Sequence, residues 1–180
     1  YAQAVSQTIQ VNIASDTTPF LYPNQFCNFN ADSNVVTVSD TITSGMTDPL
    51  KKVEAIYNYA VDNITYDNQK AATVQSGYLP NVDATLAQKK GICFDYAAVM
   101  TSMLRAQGIP TKLVIGYAGN VYHAWVSVYI QGQGWVDNII YFDGTDWKLM
   151  DPTFVSSGKK SAEVLNYVSN PANYRQKFCY

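Results

Sequence analysis

The sequence has few of the residues from which metal sites, disulfide frameworks and nucleic-acid-binding surfaces are built. It holds one histidine and three cysteines among 180 residues, scattered along the chain without the spacing of a typical zinc site, and it has no loop of the EF-hand type. Only 14% of the residues are charged, the formal net charge is −2, and no block of basic residues occurs. We therefore expect no metal, no cofactor and no nucleic-acid partner. No apolar run has the length of a membrane span, so we expect no membrane insertion.

Length and composition indicate one domain of a protein that works outside the cytoplasm. A chain of 180 residues corresponds to about one domain and can bury roughly 70% of the surface of its unfolded form. Fourteen tyrosines, with many asparagines, serines and threonines, give a polar surface of low charge. Such a surface suits an extracellular protein, so we predict a secreted or cell-surface protein of bacterial origin. Residues 1–6 are not a signal peptide, and we expect the signal peptide to be absent from this sequence.

Cys93 opens a stretch with the apolar spacing of a buried helix. From residue 96 to residue 104 the apolar side chains recur at helical spacing, and a glycine and a proline follow as stop signals. The first turn of a helix has unpaired N–H groups and a partial positive charge, which favour a thiolate over a thiol. Cys93 is therefore either a nucleophile or a small, buried core residue.

Two further residues have the types that thiol chemistry requires. His123, the single histidine, lies in an aromatic strand thirty residues after Cys93, and Asp151 begins an Asp-Pro-Thr sequence. A nucleophile, a base and an orienting carboxylate are the three parts of thiol-dependent acyl transfer. Taken alone, a histidine in such a strand and an aspartate before proline are commonly structural.

The chain resembles the transglutaminase-like superfamily. Several separated blocks between about residues 48 and 154 agree with that family in order and spacing, namely 91–97, 104–111, 122–126, Trp147 and 149–153. The resemblance implies an α+β fold with a papain-like core, in which the catalytic cysteine begins a helix packed on an antiparallel sheet. It also implies that Cys93 is the nucleophile, His123 the base and Asp151 the orienting carboxylate.

Acyl transfer also needs two donors aimed at the developing oxyanion. The backbone N–H of Cys93 is one candidate. By the resemblance, a side chain from an upstream segment is the other, and Tyr66 fits by position, with Gln69 and Gln88 as alternatives. Tyr66 could equally be a packed aromatic residue.

Two tryptophans are candidates for the walls of the acyl-donor groove. Trp125 and Trp147 lie near His123 and Asp151 in the sequence, but their rings could equally belong to the core. Residues 68–78 contain few apolar anchors, so we expect them to form a mobile flap over the cleft.

The chain divides at the sequence level into an N-terminal extension, residues 1–45, packed on a catalytic domain, residues 46–180. The extension contains a strand pattern at 9–13, a loop at 19–30 and a segment at 35–38 that suits a strand or a helix. The catalytic domain begins with a helix capped by Asp48. Later segments predict an antiparallel meander, with strands at 112–117, 121–130, 135–142 and 146–150, and an irregular end at 171–180.

The three cysteines leave one thiol unpaired in any intramolecular scheme. A Cys27–Cys179 disulfide with Cys93 free suits a secreted protein. Three free thiols are the alternative.

These observations predict an enzyme that acts on protein glutamine or on a peptide amide through a cysteine thioester. Its partner is a protein or peptide substrate. If an amine attacks the thioester, the product is a cross-link; if water does, the amide is hydrolysed and the enzyme is a cysteine protease or a deamidase. The sequence leaves the oligomeric state open. An inactive transglutaminase-like binding or structural module at the cell surface is the alternative, and an internal thioester or isopeptide bond is a third reading.

Overall fold

The computed structural model describes residues 8, 10–13, 15–137, 141–142, 147–148, 153 and 170–180. Five α-helices are present in this part of the chain: α1 (Asn34–Ile42), α2 (Pro49–Asn63), α3 (Asn68–Thr73), α4 (Val82–Gln88) and α5 (Cys93–Ala106). The strands described are β1 (Thr65–Tyr66), β2 (Lys90–Gly91), β3 (Thr111–Ala118), β4 (Val121–Ile130), β5 (Gly134–Val136), β6 (Tyr141–Phe142), β7 (Trp147–Lys148) and β8 (Tyr174–Cys179). Within these residues, no helix combines the length and the apolar character needed to cross a membrane.

Helix α5 is the centre of the molecule. Residues 95–105 of α5 are all buried, because α1, α2 and α4 pack on one side of the helix and β3 and β4 on the other. A helix covered on all sides needs small or apolar residues around its whole circumference, and α5 supplies them with alanine, valine, methionine and leucine. The side chains of the hydrophobic core are at most 8% exposed, and those exposed by 2% or less include Val35, Val53, Ile56, Tyr57, Tyr96, Met100, Leu104 and Leu113.

Helix α2 begins and packs as the sequence predicts. The side chain of Asp48 accepts a hydrogen bond from the backbone N–H of Leu50 at 2.9 Å, with proline at the first helical position. Val53, Ile56 and Ala60 are buried against the core. Because an N-cap of this kind contributes about 1 kcal/mol, most of the stability of α2 comes from the packing of its apolar face.

The main sheet has four antiparallel strands in the order β5-β4-β3-β8. The predicted strands at 112–117 and 121–130 are confirmed, and they pair in a register that sets Gly116 opposite His123. The strand predicted at 135–142 is not continuous, because β5 ends at Val136. Strand β6, at the end of the predicted range, pairs with β7 in a separate ladder.

Two expectations for the ends of the chain are wrong. Residues 174–179 form β8, not an irregular end, because their backbone pairs with β3 while five of the six side chains remain exposed; such an edge strand carries little apolar periodicity. The strand expected at 9–13 is absent from its described residues, where Val11 and Ile13 are 65% and 55% exposed. An alternating pattern without a partner strand gives no ladder.

The segment at 35–38 is helical. It lies in α1, and Val35 is fully buried in the core beside α5. Helix α1 therefore contributes to the same core as the rest of the chain. The division of the chain at residue 45 stays a prediction.

All three cysteines are free, so the disulfide alternative is wrong. Cys27 is fully buried and its thiol donates a hydrogen bond to the side chain of Asn24 at 3.3 Å, whereas Cys179 is exposed on β8. Burial raises the pKa of the Cys27 thiol, although the nearby Arg105 guanidinium opposes this effect. The buried thiol is therefore held as a neutral core group.

Arg105 links α5 to two segments that are distant in sequence, at Tyr22 and at Tyr180. Its guanidinium donates to the carbonyl oxygens of Thr111, at 2.7 and 2.9 Å, of Tyr22, at 2.5 Å, and of Tyr180, at 2.7 Å. It also lies 3.3 Å from the sulfur of Cys27. Burial lowers the pKa of Arg105, with partial compensation from Cys27, yet arginine remains charged in proteins.

Candidate active site

Cys93 occupies the first turn of α5, and its side chain is half-buried. The N–H groups of a first helical turn have no intrahelical acceptor, so those around Cys93 can bind an anion that develops beside the thiol. The preceding N–H, that of Ile92, donates to the carboxylate of Asp95 at 2.8 Å. This bond fixes the backbone on both sides of Cys93 and defines where the helix starts.

A short parallel ladder places Tyr66 beside the approach to Cys93. Strands β1 and β2 pair Thr65 with Lys90 and Tyr66 with Gly91. The ladder is extended by a hydrogen bond from the N–H of Asp67 to the carbonyl of Gly91, at 2.9 Å. Tyr66 therefore lies next to the residue two positions before the candidate nucleophile.

Asp95 is a fully buried carboxylate with three partners. Besides the Ile92 N–H, it accepts from the ammonium of Lys70 at 2.6 Å and from the hydroxyl of Tyr78 at 2.5 Å. The ammonium and the hydroxyl also contact each other at 2.5 Å. A buried charge needs such partners, and here they neutralise a negative charge two residues from Cys93.

The same contacts change the protonation of both partners. Burial lowers the pKa of Lys70, but its hydrogen bonds to Asp95 and Tyr78 outweigh burial, and the net pKa is raised. Burial raises the pKa of Tyr78, and its bond to Asp95 adds to the effect. At neutral pH the lysine is therefore charged and the tyrosine neutral.

Residues 68–78 are held at two points in the structure, and the mobility predicted for them stays a prediction. Residues 68–73 form α3, whose N-cap Asp67 accepts from the backbone N–H of Lys70 at 2.9 Å. This bond, with a side-chain contact to Lys90, lowers the pKa of Asp67. Lys70 and Tyr78 then anchor both ends of the segment to Asp95, which replaces the missing apolar anchors by polar ones.

His123 lies near the start of β4 and is 5% exposed. Its ring stacks on that of Trp125, with centroids 6.3 Å apart and an interplanar angle of 24°. Trp125 is 4% exposed and meets Tyr174 of β8 edge to face, at 5.3 Å. The structure thus places Trp125 as a buried support for the imidazole.

Cys93 and His123 line one cavity of about 870 Å³. Tyr66 lines it as well, and so do residues from α5, from the segment after α3 and from the main sheet. The predicted nucleophile, the predicted base and the preferred oxyanion donor are therefore brought together. Gln69 and Gln88, the alternative donors, do not line this cavity, and neither does Trp125.

The structure gives no side-chain position for two of the candidate residues. Asp151 is outside the described residues, and of Trp147 the structure describes only the backbone, in β7. In the described ranges, no three histidine, cysteine, aspartate or glutamate side chains are grouped in a way that could hold a metal ion.

Sequence reasoning missed the roles of Asp95, Lys70 and Tyr78. Asp95 stands three residues after the N-cap Ile92, the position from which an acidic side chain reaches back to the N-cap N–H, and this spacing was a readable signal. In a capping box the N-cap side chain also accepts a hydrogen bond from the backbone N–H at the third helical position. Isoleucine has no side-chain oxygen for this bond, so the sequence does not match the usual capping-box pattern. No local signal connects Lys70 or Tyr78 with Asp95, because the three residues meet only through the tertiary fold.

A sequence model described as the transglutaminase-like superfamily matches residues 36–138, more than half of the chain. Among curated relatives, the uncharacterized protein YebA of Bacillus subtilis is 29% identical over 148 residues, which cover 71% of this chain and 19% of YebA. A protein-glutamine gamma-glutamyltransferase of Pseudomonas aeruginosa is 39% identical over 62 residues, 27% of this chain and 9% of that protein. The chain thus spans less than a fifth of the length of these relatives.

Solved structures share the fold at low sequence identity. A protein from Cytophaga hutchinsonii described as a "Putative Cysteine Protease" gives a TM-score of 0.62 at 20% identity, over 94% of this chain and 48% of that one. The periplasmic domain of TgpA from Pseudomonas aeruginosa gives 0.56 at 22% identity, over 84% of this chain and 51% of that one. These likenesses confirm the α+β fold, with a helix that begins at Cys93 packed on an antiparallel sheet.

Proposed function

Because this chain belongs to the transglutaminase-like superfamily, we propose that it transfers acyl groups from a glutamine side chain or a peptide amide through a thioester on Cys93. The observation that carries the proposal is the cavity that Cys93, at the first turn of α5, shares with His123. A thiol at a helix N-terminus beside an imidazole is the pairing that activates cysteine nucleophiles.

The first half-reaction forms the thioester. His123 takes the proton of the Cys93 thiol, and the sulfur attacks the amide carbonyl carbon. The tetrahedral intermediate collapses when the imidazolium gives its proton to the departing nitrogen, which leaves as ammonia from glutamine or as an amine from a peptide bond. Asp151 is proposed to orient the imidazole and to stabilise its charged form.

The oxyanion of the intermediate needs preorganised donors. The N–H groups of the first turn of α5 supply one, at Cys93 itself. The hydroxyl of Tyr66 is proposed as the second, because Tyr66 lines the same cavity and its backbone is fixed by the ladder with Gly91. The ring of His123 is buried against that of Trp125, and such packing limits the freedom of the imidazole and lowers the entropy cost of reaching the reactive geometry.

The second half-reaction determines the biological product. His123 removes a proton from the incoming nucleophile, which attacks the thioester and releases the Cys93 sulfur. A lysine amine gives an isopeptide cross-link, and water gives glutamate from glutamine or a cleaved peptide bond. The relative from Pseudomonas aeruginosa, described as a protein-glutamine gamma-glutamyltransferase, supports glutamine as the donor.

We place this activity outside the cytoplasm, in a bacterial secreted or cell-surface protein that acts on proteins or peptides. The low fraction of charged residues, 14%, supports this location. The solved TgpA structure that shares the fold is that of a periplasmic domain, which supports it as well.

Mass spectrometry of a glutamine-rich protein, incubated with this domain and a primary amine, tests the proposal. We expect amine adducts on glutamine, or conversion of glutamine to glutamate, or cleavage at defined bonds. Cys93→Ala is the control in which every product is absent. Products that persist in Cys93→Ala would contradict the thioester.

The reactivity of the thiol is a second test that needs no substrate. Iodoacetamide at pH 6 should alkylate Cys93 much faster than a free thiol, and His123→Ala should remove the excess. Ordinary reactivity in the wild-type protein, combined with no product in the first test, would favour a binding module without catalysis.

A further inference from the structure

Five aromatic rings form a continuous row along the wall of the cavity that holds Cys93. The ring centroids of successive members are 6.4, 4.3, 5.8 and 6.3 Å apart, within or close to the range of interacting aromatic pairs. All five residues line the cavity, and in order along the row they are Phe178, Tyr180, Phe26, Phe94 and Tyr78. We call this set the aromatic row.

The row is assembled from parts of the chain that are distant in sequence. Phe178 belongs to β8, Phe26 to the N-terminal segment, Phe94 to the first turn of α5 and Tyr78 to the segment between α3 and α4. Phe94 directly follows Cys93, so the row passes beside the candidate nucleophile.

The sheet continues the apolar wall. Phe178 pairs with Ile115 of β3, and Ile115 pairs with Ala124 of β4, so these three side chains form a line across the strands. At the rim, Phe178 is 44% exposed and Val121 64% exposed. Exposed apolar groups of this size around a cleft are typical of a binding surface.

The described part of this surface is uncharged. Of the described residues that line the cavity, none is a lysine, arginine, aspartate or glutamate. Two ammonium groups of the described residues lie against rings of the row. That of Lys70, 4.3 Å from the ring centroid of Tyr78, is paired with the fully buried Asp95 at 2.6 Å, and that of Lys177 lies 5.3 Å from the ring centroid of Phe178, at the exposed end of the row. A charged substrate residue that enters the cavity away from Lys177 would lose its hydration without gaining an oppositely charged partner among the described lining residues.

We propose that the aromatic row selects acyl donors that carry a large apolar or aromatic residue beside the reactive amide, and rejects donors with an acidic or basic residue there. This inference rests on the proposed acyl transfer and names its substrate class. The rings gain contact area with an apolar neighbour. A charged neighbour loses its hydration in the cavity, which costs more than a cation–π contact with a ring returns.

Capped peptides test the proposal directly. Two series, acetyl-Xaa-Gln-Gly-amide and acetyl-Gly-Gln-Xaa-amide, with Xaa as Phe, Leu, Ser, Asp or Lys, are incubated with an amine, and mass spectrometry follows adducts, deamidation and cleavage. In at least one series we expect kcat/KM to be about tenfold or more higher for Phe and Leu than for Asp and Lys. Equal values, or a preference for a charged residue, would overturn the proposal.

Substitutions at the rim separate recognition from catalysis. Phe178→Ser should reduce the Phe-to-Ser preference several-fold. The fold should tolerate this change, because Phe178 lies on an exposed edge strand and its ladder bonds are made by the backbone. Phe178→Lys should raise the relative turnover of the Asp peptide. Tyr22→Ser is the matched control, since Tyr22 is 62% exposed and does not line the cavity. An unchanged preference in both Phe178 variants, with wild-type thermal stability, would contradict the role of the row.

Binding distinguishes failure of this inference from failure of the proposed function. The same peptides are titrated into Cys93→Ala and followed by nuclear magnetic resonance. Tighter binding of the Phe peptide than of the Asp peptide, with no turnover by the wild-type protein, would support the row and overturn acyl transfer. Turnover by the wild-type protein, with equal binding of the Phe and Asp peptides, would support acyl transfer and overturn the role of the aromatic row.

Discussion

The carboxylate of Asp95 accepts a hydrogen bond from the backbone N–H of Ile92 at 2.8 Å, so the two residues enclose Cys93 and its neighbour Phe94 within one ring of contacts. Asp95 also receives the ammonium of Lys70 and the hydroxyl of Tyr78. The segment that covers the cavity and the turn that presents the thiol are therefore held by the same carboxylate. Changes to this carboxylate should affect stability and thiol reactivity together.

Gly91→Ala should destabilise the fold and slow alkylation of Cys93. An alanine Cβ at position 91 would lie 2.6 Å from the Cβ of Asp95, a distance that forces Asp95 to move. We expect a loss of about 1–3 kcal/mol in unfolding free energy, measured by urea denaturation. Gly45→Ala is the control: its Cβ meets nothing within 4 Å, but its φ of +75° costs about 1–2 kcal/mol. Only Gly91→Ala should slow alkylation; equal alkylation rates in the two variants would contradict the link to Asp95.

Lys70→Met should make Cys93 less reactive at neutral pH. Removal of the ammonium leaves the buried charge of Asp95 unbalanced two residues from the thiol, which disfavours a second negative charge there. We expect iodoacetamide alkylation at pH 6 to slow by roughly three- to tenfold. Lys51→Met, on the exposed surface of α2, is the matched control. A Lys70→Met protein that is folded and alkylated at the wild-type rate would show that the pair has no electrostatic influence on Cys93.

Stability should decline at alkaline pH through Tyr78 and Lys70. Both groups have a raised pKa in the folded protein, so the folded state retains protons that the unfolded state releases. Their stabilising contribution is complete below their ordinary values of 10.0 and 10.5 and is lost as the pH rises through the higher folded values. Urea denaturation at several pH values between about 8 and 11 should show a smaller decline in Tyr78→Phe than in the exposed control Tyr22→Phe. Parallel declines in the two variants would refute the assignment to Tyr78.

Arg105→Met should be among the most damaging single changes. Arg105 is 3% exposed, and its loss leaves the carbonyl oxygens of Thr111, Tyr22 and Tyr180 without this donor. We expect a loss of about 3–5 kcal/mol, the range for removing one partner of a buried charged network. Arg105→Lys should retain only part of the unfolding free energy that Arg105→Met loses, because an ammonium cannot reproduce the planar, forked set of donors of a guanidinium. Arg175→Met, on an exposed position of β8, is the control and should change stability by less than about 0.5 kcal/mol.

Thiol titration should find three free cysteines. In the unfolded, unreduced protein we expect all three to react with a thiol reagent, because Cys27, Cys93 and Cys179 are free in the structure. In the folded protein Cys27 should react far more slowly than the exposed Cys179, since Cys27 is fully buried and burial raises its pKa. A single reactive thiol in the unfolded sample would instead establish the Cys27–Cys179 bridge.

The local patterns of the chain predicted the elements that present the candidate site. The apolar spacing after Cys93 predicted α5, the Asp48-Pro49 pair predicted the start of α2, and alternation predicted β3 and β4. Each of these is encoded within a window of about ten residues, because capping and burial periodicity depend on neighbours in sequence. The roles of Cys93, His123 and Asp151 came from the family resemblance, and they stay predictions.

Edge strands and long-range polar contacts could not be read in this way. Strand β8 is specified by backbone pairing with β3, and most of its side chains remain exposed, so its sequence carries no burial signal. The anchoring of residues 68–78 depends on Asp95, a residue more than fifteen positions away. No local pattern in a single sequence shows that Lys70 and Tyr78 will pair with Asp95.

The sequence by itself determined which side chains are available for chemistry: one histidine, one cysteine at a helix start and a surface of low charge. The tertiary structure alone decided that Cys93, His123 and Tyr66 line one cavity, that five rings from separate segments form its wall, and that Arg105 contacts the sulfur of Cys27. The physical reason is that hydrophobic burial along α5 and within the sheet is set by local periodicity. The meeting of polar and aromatic groups depends on how those elements pack in three dimensions.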